Sequence, residues 1–89
     1  MTLYNFTNNE TLKNAAWQKA LIVVTHDPND ARKDRFGNWI VWNDYGKKTQ
    51  FGWEIDHVTP VSWGGLDSHS NVAATHWQAN RQKSNNFAG

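Results

Sequence analysis

A chain of 89 residues with six Trp, four Phe and two Tyr supports one compact domain whose small core depends on aromatic area, and a second domain does not fit. The lack of Cys excludes a disulfide framework and a thiolate zinc knuckle, so any metal must be held by His, carboxylate or amide groups. Nine Lys plus Arg against eight Asp plus Glu give a net charge of +1, which counts against a domain that grips nucleic acid by electrostatics alone.

The opening Met1-Thr2-Leu3-Tyr4-Asn5 has neither a basic leader nor an apolar segment, and no run approaches membrane-spanning length, so a soluble, cytoplasmic protein is expected. From Asn9 to about Thr25, Leu12, Ala15, Ala16, Lys19 and Ala20 recur at helical spacing, with Thr11 or Asn9 as a cap. The β-branched run Leu21 to Thr25 either extends that helix or turns extended, and Asp27-Pro28-Asn29-Asp30 ends it. Trp39-Ile40-Val41-Trp42 reads as a strand or hairpin after the Phe36-Gly37-Asn38 turn, and Asn43 to Gly46 leads out of it.

Phe51 to Val61 is the second extended segment, with Trp53, Ile55 and His57 on one side of the pleat and Glu54, Asp56 and Val58 on the other. Asp56 and His57 cannot face one metal from a regular strand. The strand is therefore expected to twist or end at His57, an irregularity that Pro60 tolerates. Trp63-Gly64-Gly65-Leu66-Asp67 is a turn. A helix is expected from Val72 to Ser84, with Val72, Ala73, His76, Trp77 and Asn80 at helical intervals, and a frayed tail over 86–89. Beyond Asp67 the only formal side-chain charges are Arg81 and Lys83, and Lys47 with Lys48 makes a second small basic cluster.

The order Asp56-His57, Pro60, Gly64-Gly65, Asn71 and then Asn80-Arg81-Gln82-Lys83 resembles the HNH endonuclease motif over Gly52 to Asn85. Tyr45-Gly46 and Phe51-Gly52-Trp53-Glu54 are similar to the lead-in of many small bacterial and phage members. The resemblance implies an α+β fold. It would consist of a ββα-metal finger over 50–85, preceded by an N-terminal helix and an additional β-element over 1–49, all within a single domain.

The same resemblance implies the roles. His57 would be the general base, since a neutral imidazole can take a proton from water attacking a phosphodiester; a structural His bonded within the sheet is the alternative. Asp56 and Asn80 would hold one divalent metal, the amide oxygen in place of the family's more common His favouring Mg2+ or Mn2+, although Ni2+ or Zn2+ can occupy such a site in vitro. Asn71 would fix the His57 orientation by tying the loop to the first strand, and an ordinary helix N-cap would look the same. Arg81 and Lys83 resemble the family's phosphate contacts, while cations also suit a solvated helix end. His76, placed one turn before Asn80, is a candidate ligand, leaving-group contact or buttress to Asp56, with a buttress or packing role favoured, and Glu54 either adds charge behind Asp56 or forms a salt bridge. His26 and His69 attract no role, and the tryptophans read as core rather than stacking platforms, with a stacking contact left open for Trp63 and Trp77 near the site.

The implied function is a metal-dependent DNA endonuclease or nickase. Two alternatives stay open: a non-catalytic DNA-binding or phage-packaging accessory that keeps the finger as a scaffold, and a toxin or effector nuclease with an immunity partner. The expected partners are DNA and a targeting or immunity protein, with the chain itself a monomer or weak homodimer and no membrane association.

Overall fold

The computed structural model describes residues 2–60, 63–66 and 68–88, with side chains described between residues 10 and 83. Met1, Gly89, the expected strand end at Val61 and the turn residue Asp67 lie outside the described residues. Helix α1 (Thr2–Gln18) is followed by the hairpin strands β1 (Ala31–Lys33) and β2 (Trp39–Val41). Then come β3 (Trp53–His57), β4 (Val72–His76) and helix α2 (Trp77–Ala88).

Helix α1 begins and ends about seven residues earlier than the sequence pattern suggests, so Asn9 and Thr11 are interior positions rather than caps. What stops it is Arg32. This side chain is buried, and its guanidinium donates to the carbonyls of Trp17, Gln18 and Ala20 at 3.2–3.3 Å, groups that a helix end otherwise leaves without partners. Burial lowers the Arg32 pKa, while the negative end of the helix dipole is a favourable place for its charge. The β-branched run after α1 then neither extends the helix nor forms a strand. Only Leu21 bridges to Lys33, and Leu21, Ile22 and Val24 are exposed.

The two sheets are both antiparallel pairs. In the first, Arg32 lies opposite Ile40; in the second, Trp53 lies opposite His76 and His57 opposite Val72. Strand β4 is the main correction to the sequence reading, which placed Val72 to His76 in the helix. Two alanines and helical spacing suit a helix locally. Pairing along the whole of β3 and complete burial of Val72 and Thr75 outweigh that small preference. The finger's two strands are thus β3 and β4, and the β1–β2 hairpin is an addition outside it. At the other end α2 runs to Ala88, so 86–88 is helical rather than a tail.

The core sits where α1 crosses the β3–β4 pair and joins Leu12, Ala16, Trp17, Ala20, Ile40, Trp53, Val72 and Ala74. The Trp17 ring centroid lies 5.1 Å from that of Trp53 and 5.4 Å from that of Trp42, and each buried indole N–H is satisfied: Trp17 donates to Pro28 and Trp53 to Val41. Truncating either fully buried indole would cost about 3–5 kcal/mol. Gly52 is required by close approach, because a Cβ there would lie 1.8 Å from the Lys47 carbonyl oxygen. Among the described residues no helix is long and apolar enough to cross a membrane.

Candidate active site

Strand β3 ends at His57 and is paired in regular register up to that residue, with Asp56 opposite Ala73 and His57 opposite Val72. On one face of β3 lie Glu54 and Asp56, and three side chains of α2 descend on them. Lys83 Nζ donates to Asp56 Oδ1 at 2.8 Å and to the His57 carbonyl at 2.8 Å. Asn80 Nδ2 donates to Glu54 Oε1 and Arg81 to Glu54 Oε2, both at 3.0 Å. The helix starts at Trp77 because the Trp77 N–H is taken by the Gly52 carbonyl, which fixes α2 against the beginning of β3.

Asp56 is 3 % exposed and carries the densest bonding in the site. Besides Lys83 it accepts Arg35 Nη2 at 2.7 Å and the Thr75 hydroxyl at 3.1 Å, both on Oδ2. Arg35 lies on the β1–β2 turn, outside the finger, and is about one-third exposed. The sequence reading missed it, since nothing in Lys33-Asp34-Arg35-Phe36 marks a site residue. The turn that aims it is held by Asp34, whose buried carboxylate accepts the N–H groups of Phe36 and Asn38, the Asn38 amide and the His76 N–H. Only the Asx-like Asp34-x-x-x-Asn38 spacing ahead of Trp39 hinted at it.

Glu54 is pulled two ways. Burial raises its pKa, but the hydrogen bonds from Asn80 and Arg81, with the charges of Arg81 and Lys48, outweigh that and leave it lowered. Its bond to Asn80 has a geometric effect too: with Nδ2 committed to Glu54, the amide oxygen Oδ1 is the atom left to face elsewhere. Glu54 therefore makes the salt bridge expected of it and orients Asn80 as well. Burial also raises the Tyr45 pKa, with Glu10 and Glu54 adding to it, and the Tyr45 ring packs 4.9 Å from Trp53.

Asn71 does not cap a helix. It closes a 3-10 turn (His69–Asn71) just before β4 and knots the loop that follows His57. Its Oδ1 accepts the Thr59 N–H at 2.8 Å, its Nδ2 donates to the carbonyls of Thr59 and Leu66 at 3.1 and 2.8 Å, and its own carbonyl accepts Val58 N–H at 2.8 Å. Lys19 of the segment after α1 donates to the His69 carbonyl and, at 2.9 Å, to that of Val72. The loop must close tightly: a Cβ on Gly65 would meet the Thr59 carbonyl oxygen at 1.8 Å.

His76 is the residue the structure moves away. It ends β4 instead of lying on the helix face of Asn80, and it is buried. Its Nδ1 accepts the Gln78 N–H at 3.1 Å, so Nε2 carries the proton and donates to the Gln50 carbonyl at 2.8 Å. With both nitrogens committed there, His76 buttresses the start of α2 and does not reach Asp56. Among the described residues no three His, Cys, Asp or Glu side chains form a group that could hold a metal.

The site thus gathers Asp56, Lys83, Arg35 and Thr75 around one carboxylate, places Glu54, Asn80 and Arg81 beside it on the same sheet face, and puts His57 and Asn71 where β3 gives way to the loop. Residues 47–88, just under half of the chain, match the family of HNH endonucleases. No curated protein and no solved structure matches the chain.

Proposed function

From the premise that residues 47–88 carry an HNH endonuclease finger, we propose that this chain is a metal-dependent DNA nickase acting at the end of β3. The observation that supports the reading is that one side chain of α2, Lys83, grips both the Asp56 carboxylate and the His57 carbonyl. The three motif residues that the reaction would use are thereby drawn to one strand end.

The donor chemistry fits one hard cation. Asp56 Oδ1 accepts a single bond and keeps a lone pair, Asn80 Oδ1 is turned from Glu54, and with only two protein oxygens the remaining positions would go to water and phosphate, as magnesium prefers. Asp56 and Asn80 would hold the ion, which when bound supplies charge neutralisation at the phosphate and at the departing 3′-oxygen. Nickel or zinc would bind the same site more tightly without being the working cofactor.

The chain's own residues do the rest. His57 takes the proton from the attacking water as its oxygen bonds to phosphorus and the bond to the 3′-oxygen breaks, leaving 5′-phosphate and 3′-hydroxyl ends. Asn71 acts through the loop, fixing where β3 ends and hence where His57 stands. Glu54 keeps the Asn80 amide oxygen turned outward. Lys83 and Arg81 exchange part of their internal pairing for phosphate, and Arg35 steadies Asp56 from outside the finger. A lone domain holds one phosphate and nicks; cutting both strands takes a dimer or two events.

One observation favours the scaffold alternative: Asp56 already has Arg35 and Lys83 against it, so its charge is balanced without a metal. Plasmid relaxation separates the two. With Mg2+ or Mn2+ the intact protein should nick supercoiled DNA. EDTA should abolish nicking, and His57→Ala, still folded by circular dichroism, should lower the rate by about 10²–10⁴-fold. Equal behaviour of all three samples would leave the finger a scaffold.

A further inference from the structure

On the face of α2 that carries Gln78 and Gln82 lies an open pocket of about 460 Å3 that the chemistry above does not use. It is lined by the aromatic rings of Trp39 and Phe51, by the amide residues Asn38, Gln50, Gln78 and Gln82, and by His76. No Asp, Glu, Lys or Arg lines it, and both ring nitrogens of His76 are already engaged, with Gln50 and Gln78. Three of the lining residues are tied down. Asn38 is bonded to Asp34, His76 is bonded at both nitrogens, and the Trp39 ring lies 4.6 Å from that of His26 with Lys33 Nζ 4.9 Å from its centroid. The glutamines are the opposite: the side-chain amides of Gln50, Gln78 and Gln82 make no hydrogen bond among the described residues.

A neutral pocket with aromatic walls and uncommitted amides suits a flat, uncharged ligand that carries both donors and acceptors. A phosphate would find no cation in it, and an aliphatic group would leave the amides unanswered. An unstacked nucleobase meets both needs, stacking on an aromatic ring and pairing its edge with an amide, and adenine is the base whose donor and acceptor match Gln or Asn in a bidentate way. Placement agrees with this. Gln78 and Gln82 are one turn apart on α2, so their two amides can meet the same ligand. Lys33, beside Trp39, offers charge for the next phosphate.

We propose that this pocket receives a flipped-out or unpaired nucleobase, so that the chain acts on DNA containing an unpaired nucleotide in preference to continuous duplex. The inference rests on the nuclease reading for its ligand class. Binding is measured by fluorescence anisotropy in EDTA, with a labelled duplex and the same duplex bearing one unpaired adenine, while plasmid nicking in Mg2+ is followed in parallel. The intact protein should prefer the bulged duplex by on the order of tenfold, about the loss expected for one base contact. Gln78→Ala/Gln82→Ala, both at exposed helix positions, should erase that preference while leaving paired-duplex binding and plasmid nicking as they were. Equal binding of the two duplexes by the intact protein, or an undiminished preference in the double variant, would overturn the pocket. Nicking that persists under either result leaves the nuclease reading standing, whereas a Gln-dependent preference without nicking supports the pocket and removes the nuclease.

Discussion

Two carboxylates, Asp34 and Asp56, are buried to nearly the same degree, at 0 % and 3 % exposure, and are held in opposite ways. Asp34 accepts four hydrogen bonds from neutral groups, three of them backbone N–H, whose positions the β1–β2 turn and the β4–α2 junction set. Asp56 accepts from Arg35, Lys83 and Thr75, so its charge is met by two flexible cations and one hydroxyl. Backbone donors cannot leave without unfolding the turn, whereas a lysine or arginine can trade its carboxylate for a phosphate and return. Burial alone therefore does not tell the two carboxylates apart; the kind of donor each one meets does.

That contrast is open to mutation. The largest effect should fall on stability: Asp34→Ala leaves three backbone N–H groups and the Asn38 amide without their acceptor, costing about 4 kcal/mol or more. In a domain of this size that is a fall in Tm of roughly 15 °C or more, readable by thermal melting. Asp56→Asn should divide the other way, losing about 100-fold in plasmid nicking while destabilising by only about 1–3 kcal/mol, since the amide still fits Thr75. If Asp56→Asn melts as low as Asp34→Ala, the distinction between the two carboxylates fails. Arg35→Ala should lower nicking by about 10–100-fold as the Asp56 carboxylate loses its partner from outside the finger, with Arg35→Lys recovering part of it.

The smallest effect concerns Glu54. Its folded pKa is lowered, so the stability it contributes is present above the ordinary carboxylate range and is lost as pH falls through the lowered value. Glu54→Gln should flatten the acid limb of Tm against pH by an amount on the order of half a kcal/mol, because Arg81, its charged partner, is half exposed. A variant whose acid limb matches that of the intact protein would show that the pairing carries no net stability.

The candidate site was nominated before the fold: Asp56, His57, Asn71, Asn80, Arg81 and Lys83 stand out by their resemblance to the HNH motif, and the sheet alternation that sets Glu54 and Asp56 together on one face follows from a period of two. His76 was misplaced because a helical interval from His76 to Asn80 exists in the sequence whether or not residue 76 is helical. The pairing with Trp53 that makes it a strand end is a contact 23 positions away. Arg35 was unreadable for the same reason, its partner being 21 residues downstream across a hairpin.

The sequence by itself determined an aromatic-rich core, a cysteine-free set of oxygen and nitrogen donors, and the order of the motif, because composition and local spacing carry those directly, while the α+β expectation came from the resemblance to the HNH family. Only the tertiary structure decided that Val72–His76 is a strand, that Arg32 ends α1, and that Arg35 and Lys83 meet on one carboxylate. Each of these depends on a partner distant in the chain, and pairing, burial and charge neutralisation there outweigh local preferences worth a few tenths of a kcal/mol per residue.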